Sequence, residues 1–151
     1  MPRTSWIAAT LLVSSACGGA QPPPFKPLAD TKLLMEAVLE PQANVVWRSV
    51  GTIIDAAGEQ NVRPKTQEEW TAVRDAAVVV AESGNLLMMV PRAKDAEWMQ
   101  IAQTLVDTSA KAVRAADARN VDQIFDVGAE MYEVCVSCHS KYMEAITQAT
   151  K

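Results

Sequence analysis

The sequence predicts an all-α fold, an antiparallel up-down-up-down four-helix bundle. Apolar residues make up 49% of its 151 residues, but aromatic residues only 5%, and the β-branched and aromatic clusters that favour strands are scarce. Four segments carry apolar residues at alternating spacings of three and four, the period of a helix with one buried face. Because the connections after the second and third segments are short, these helices are expected to run antiparallel to their neighbours.

The first predicted helix covers residues 30–57. Pro41 lies in its interior. A proline removes one backbone donor and its ring clashes with the preceding turn, so a kink is expected there. The helix is expected to end near Gly58, and the polar stretch 59–65 to form a loop.

The second predicted helix begins with a capping box, in which Thr66 and Glu69 each satisfy a backbone amide of the other. Pro91 is expected to stop it. Its apolar residues follow one face, as expected for a helix in a bundle: Trp70, Val73, Ala77, Val80, Gly84 and Leu87.

The third predicted helix starts near Asp95, and the fourth starts at Asn120, with Gln123 three residues later. The inward face of the third is formed by Trp98, Ile101, Leu105, Ser109, Ala112 and Ala116. The inward face of the fourth is formed by Val121, Ile124, Gly128, Met131, Cys135, His139, Tyr142 and Ile146, with Cys138 beside it. The opposite face of the fourth is polar, which is typical of a solvated surface.

Residues 1–16 have the pattern of an export signal. Arg3 supplies a positive start, and the apolar run 6–13 is too short to span a bilayer. Small residues then precede Cys17, which resembles the lipobox of bacterial lipoproteins, whose cysteine is acylated. The pattern departs from the commonest form at Ser14, where leucine is usual, so an ordinary secretory signal stays open as the alternative.

Residues 17–29 are predicted to be a tether between the lipid on Cys17 and the domain formed by residues 30–151. The three prolines at 22–24 favour an extended, semi-rigid chain that has no core to bury. This places the protein in the periplasm, anchored to a bacterial membrane, and Gly18 in place of aspartate favours the outer membrane by resemblance to the sorting pattern. The net charge of −4 argues against nucleic acid as a partner.

The chemistry-bearing motif is Cys135-Val136-Ser137-Cys138-His139. Two thiols three positions apart lie on one face of a helix, and the only histidine of the chain follows at once. This spacing is that of a covalent c-type haem attachment, in which both thiols form thioethers and the imidazole binds iron.

Three other uses of the cysteine pair fit less well. A thioredoxin-like redox pair usually lies at the start of a helix after a strand, whereas this pair lies deep inside one. A structural zinc site needs four ligands, and no second pair accompanies Cys135, Cys138 and His139. A disulfide between the two cysteines has poor geometry inside a continuous helix.

The motif, with the aromatic Tyr142 three residues after His139, resembles the class II cytochromes c, the cytochrome c′ and cytochrome c556 group. The resemblance covers about residues 30–143. It implies one haem c per chain, His139 as the proximal iron ligand and a distal side covered by the first helix. It further implies either five-coordinate iron or six-coordinate iron with a methionine sulfur, and a homodimer, since members are often dimers.

Met35 is the candidate distal iron ligand. It lies among apolar residues of the first helix, six residues before Pro41, which is similar to the arrangement in cytochrome c556. A role in core packing is the alternative, since methionine fills gaps in helical cores. Trp47, Trp70 and Trp98 are expected to pack in the core. Three arginines are candidate partners for the acidic groups of haem: Arg48, Arg74 and Arg92.

The sequence therefore predicts a one-electron carrier of the bacterial cell envelope that exchanges electrons with redox partner proteins. The alternative is a gas-binding haem protein with an open distal site that takes nitric oxide or carbon monoxide. The chain is not expected to be an enzyme, because its only histidine is committed to iron.

Overall fold

The computed structural model describes residues 25–149, with side chains described as far as Met143. The predicted signal peptide, Cys17 and the tether up to residue 24 lie outside the described residues. The described chain is mostly helical, with one small two-stranded sheet. Within it, no helix combines the length and the hydrophobicity needed to cross a bilayer.

The first helical region consists of α1 (Thr31–Leu34), a π-helical segment (Met35–Leu39) and α2 (Glu40–Arg48). Pro41 stands at the start of α2. It has no N–H for a bond to the carbonyl four residues earlier, and the Glu40 N–H just before it donates to the carbonyl of Met35, five residues back. The distortion that we predict at Pro41 takes the form of this wider π turn, a common cause of irregularity in helices.

The prediction that the first helix continues to residue 57 is wrong, and so is the prediction of a loop over 59–65. Helix α2 ends at Arg48, and a hairpin follows, in which β1 (Gly51–Asp55) pairs antiparallel with β2 (Gly58–Val62). Gly51 and Gly58 have φ angles of 150° and 119°, which are open to glycine but strained for other residues. Gly51 begins β1, three residues after the end of α2, and Gly58 begins β2 after the turn.

Three long helices follow, α3 (Gln67–Leu87), α4 (Ala96–Asp117) and α5 (Val121–Ala149). Their predicted starts are confirmed: the capping box of Thr66 and Glu69 is present, Asp95 accepts the amide of Trp98, and Asn120 accepts that of Gln123. α3 ends before Pro91, as predicted. All six residues of its predicted inward face are buried.

The helices pack in a definite order. α3 packs along α4 and α4 along α5, while α2 contacts both α3 and α5. α4 and α5 are antiparallel. A salt bridge joins Lys111 in the second half of α4 to Glu130 in the first half of α5, and another joins Glu97 at the start of α4 to Lys141 in the second half of α5. The main buried core lies between these helices, and a smaller cluster around Trp70 and Ile124 lies at the end that carries the hairpin.

Candidate functional site

A cavity of about 520 Å³ lies between the first helical region and α5 and is closed at the back by α3 and α4. This volume is within the usual range of small-molecule and cofactor sites. Its walls are mostly apolar. Those that matter for its chemistry are Met35, Glu40, Trp47, Trp98, Tyr132, Cys135, Cys138 and His139.

The two predicted thiols both border this cavity. Cys135 and Cys138 are half-buried and are not joined in a disulfide. Burial raises the pKa of the Cys135 thiol to about 11, and the neighbouring Cys138 adds to the shift. Burial also raises the pKa of Cys138, against an opposing effect of the positive charge on Lys94. Both groups are therefore neutral thiols at neutral pH in the haem-free chain.

His139 and Met35 border the same cavity from two different elements. Met35 is half-buried in the π-helical segment, whereas His139 is exposed on α5. The prediction that His139 points inward is thus correct only in part: it lines the cavity but also meets solvent, because the cavity reaches the surface beside it. An imidazole nitrogen and a thioether sulfur, both ligands of transition metals, border one space.

Two tryptophans form aromatic walls. Trp98 Nε1 donates to the Leu87 carbonyl at 2.8 Å, and Trp47 Nε1 donates to the Gly128 carbonyl at 3.0 Å. Trp98 also meets the ring of Tyr142 edge to face, with centroids 5.0 Å apart. These bonds satisfy the indole N–H groups and hold both rings in place.

Trp70 and Met131 are core residues away from the cavity. Trp70 packs in the core, as predicted, and belongs to the cluster at the hairpin end. Met131 is fully buried one turn before Cys135, and neither residue borders the cavity.

None of the three candidate arginines borders the cavity. Arg92 is buried and donates to the carbonyls of Ala29 and Leu86, Arg74 pairs with Asp75, and Arg48 borders a different cavity. The charged side chain of the wall is Glu40.

Lys94 is a basic residue near the site that the sequence analysis missed. Its Nζ lies 5.4 Å from the centroid of the Trp98 ring. It belongs to the loop before α4, where no periodic pattern marks it.

In the part of the chain that the structure describes, no group of three or more His, Cys, Asp and Glu side chains is arranged to bind a metal ion.

The comparisons with known proteins add no relative. No protein-family model, no curated protein and no solved structure matches this chain.

Proposed function

We propose that the chain is a c-type haem protein, in which Cys135 and Cys138 form the thioether bonds and His139 is the proximal iron ligand. The observation that carries the proposal is a single apolar cavity bordered by the two free thiols, by His139 and by Met35. The residues present fit haem, because the porphyrin already binds its iron and the chain would have to add only the imidazole of His139 and the thioether of Met35.

The particular class that we propose is the class II cytochromes c, with the helices arranged as an antiparallel four-helix bundle. The contacts of α2 with α3, α3 with α4, α4 with α5 and α5 with α2 form a closed ring, which supports this arrangement. The hairpin 51–62 would then be an insertion between the first and second helices of the bundle.

When bound, haem supplies an iron that gains and loses one electron. The chain's own part is to hold it and to set its environment. Trp47 and Trp98 form apolar walls of the cavity. Met35, which borders the cavity, would be the second iron ligand, and its soft sulfur would favour ferrous iron and raise the reduction potential. The exposed side of the cavity at His139 gives a partner protein a short path for electron exchange.

The proposed place of this activity is the cell envelope. A lipid on Cys17 would anchor the protein to a bacterial membrane, with the domain in the periplasm, where it would exchange electrons with other redox proteins. The proposal includes no nucleic-acid partner. A homodimer is implied only by the resemblance to class II cytochromes c.

Expression in a host that attaches haem tests the proposal. The intact mass should exceed that of polypeptide plus lipid by one haem, and the reduced spectrum should be that of a low-spin, six-coordinate iron. The Cys135→Ala/Cys138→Ala double variant should lose the covalent haem. A mass equal to polypeptide and lipid alone would refute the proposal.

The assignment of Met35 has a separate test. Met35→Leu should give ferrous protein that binds carbon monoxide readily, whereas Met99→Leu, a control at a methionine outside the cavity, should behave like the wild type. If the wild type itself binds carbon monoxide readily, Met35 is not a ligand and the gas-binding function replaces the carrier.

A further inference from the structure

One end of the molecule, here called the tethered end, is formed by residues 25–29 and by the loop 88–95 between α3 and α4. Arg92 joins the two segments. Its guanidinium donates to the carbonyls of Ala29 at 3.2 Å and Leu86 at 2.9 Å, and it lies 5.8 Å from the centroid of the Phe25 ring. The last residues before α1 are therefore held against the loop.

The tethered end exposes large apolar side chains. Leu28 is 98% exposed and Val90 is 78% exposed. Phe25 and Met89 are exposed to a smaller degree on the same two segments. Single exposed apolar residues are ordinary, but several together on one surface mark a contact with another apolar phase.

The formal charge of this end is positive, although the chain carries a net charge of −4. Lys26 and Lys94 are exposed. Asp30 and Asp95 cap α1 and α4 by accepting the backbone N–H groups of Leu33 and Trp98, and they keep their negative charges. With Arg92 and the two lysines, residues 25–30 and 88–95 carry one net positive charge. Exposed cations beside apolar side chains are what an anionic lipid surface attracts.

The proposed lipid would keep this end close to the bilayer. Eight peptide units separate Cys17 from Phe25, and a fully extended chain of that length reaches about 28 Å at most. The inference rests here on the lipid at Cys17 that is part of the proposed function.

We propose that the tethered end docks on the anionic surface of the bilayer, with Leu28 and Val90 in the interfacial region and Lys26 and Lys94 against lipid phosphates. The domain then stands on the membrane in one orientation. The cavity lies in the same half of the molecule, since Leu87 at the end of α3 and Trp98 in the first turn of α4 border it. Docking therefore holds the haem site close to the membrane surface.

The test uses the intact lipidated holoprotein in vesicles of phosphatidylcholine, with and without about one third phosphatidylglycerol. Side chains are oxidised by hydroxyl radicals from X-ray radiolysis and read by peptide mass spectrometry. Leu28 and Val90 should be oxidised about threefold more slowly on the anionic vesicles than on the neutral ones. Ile54 in the hairpin is the internal control, because it is also 78% exposed, and its rate should not change.

Variants make the assignment specific. Lys26→Gln/Lys94→Gln should remove the difference between the two vesicles at Leu28 and Val90, and Ile54→Ser should leave it intact. Equal oxidation of Leu28 on both vesicles would overturn the proposal and leave the lipid as the only attachment.

The outcome is independent of the haem proposal, because the oxidation rates are read without reference to haem. The intact mass reports the lipid on the same sample. If Cys17 carries none, flotation of the protein with anionic vesicles decides: flotation that Leu28→Ser/Val90→Ser abolishes supports docking, and no flotation overturns it.

Discussion

The Tyr142 hydroxyl donates a hydrogen bond to Asp95 Oδ1 at 2.6 Å. The same carboxylate oxygen accepts the Trp98 N–H at 2.9 Å as the N-cap of α4. Tyr142 follows His139 by three residues on α5. One carboxylate therefore fixes the N-terminus of α4 to the turn of α5 that carries the proposed iron ligand.

Tyr142→Phe should lower the thermal unfolding midpoint by a few degrees. The phenylalanine keeps the edge-to-face contact with Trp98, so the loss reflects the hydrogen bond to a charged acceptor. Circular dichroism of the purified protein measures it. Tyr132→Phe, at an exposed tyrosine, is the matched control, and equal midpoints for all three proteins would show that the bond to Asp95 contributes nothing.

Asp95→Asn should give a stability difference that depends on pH. The hydrogen bond from Tyr142 and then the Trp98 amide hold the pKa of Asp95 below its ordinary value. A lowered carboxyl pKa stabilises the fold above the unfolded-state pKa of about 3.9, and this contribution is lost as the pH falls through the folded-state pKa.

The unfolding midpoint of Asp95→Asn should thus lie below that of the wild type at pH 7, and the two should converge as the pH falls below about 4. Asparagine still caps a helix, so the comparison isolates the charge. A difference that is constant from pH 7 to pH 3 would contradict the assignment.

Cys135 in the haem-free protein should react slowly with iodoacetamide. With its pKa raised to about 11 by burial, only a small fraction is thiolate at pH 8. Alkylation should be about two orders of magnitude slower than in the urea-unfolded chain, where the pKa is about 8.5. Peptide mapping separates Cys135 from Cys138. Similar rates in the folded and unfolded chains would mean that the thiol is not buried.

The helix starts are the part of the fold that local sequence predicts well. A cap such as the pair Thr66 and Glu69 involves residues three apart, so all of its hydrogen bonds lie within one helical turn. The inward face of α3 can also be predicted from local sequence, because apolar residues at spacings of three and four mark the buried side of a helix whichever element packs against it.

The hairpin escaped prediction because its residues fit two structures. The run Thr52-Ile53-Ile54 is apolar and β-branched, and it continues the helical pattern that precedes it. The decisive feature is Gly51, whose positive φ begins β1 three residues after the helix ends. A glycine inside a helical pattern is only weak evidence for such a break. The strand also depends on its pairing with β2, from Gly51 with Val62 to Asp55 with Gly58.

Local sequence predicts the parts of the candidate site, whereas its assembly was implied only by the resemblance to a known family. The spacing of Cys135, Cys138 and His139 is local information. That Met35 borders the same cavity depends on how the first helical region packs against α5, about a hundred residues away. The burial of Arg92 has the same origin, because its acceptor is the carbonyl of Ala29, 63 residues distant.

Two glycines on the long helices should respond in opposite directions to the same substitution. A Cβ on Gly84 would lie 2.7 Å from Val106 Cγ2 and 3.1 Å from the carbonyl oxygen of Ala102, whereas a Cβ on Gly128 would meet only Trp47 Cδ1, at 3.5 Å. The first is a steric clash that includes backbone of α4, and the second is an ordinary contact.

Gly84→Ala should therefore destabilise the protein by about 1–3 kcal/mol, because α3 and α4 have to move apart. Gly128→Ala should stabilise it by about 0.5–1 kcal/mol, because alanine loses less backbone entropy than glycine in a helix. Urea unfolding of both variants measures the two free energies. The glycine at 84 is thus required for the close approach of α3 to α4, and stabilisation of both variants would show that helix propensity, not packing, governs the two positions.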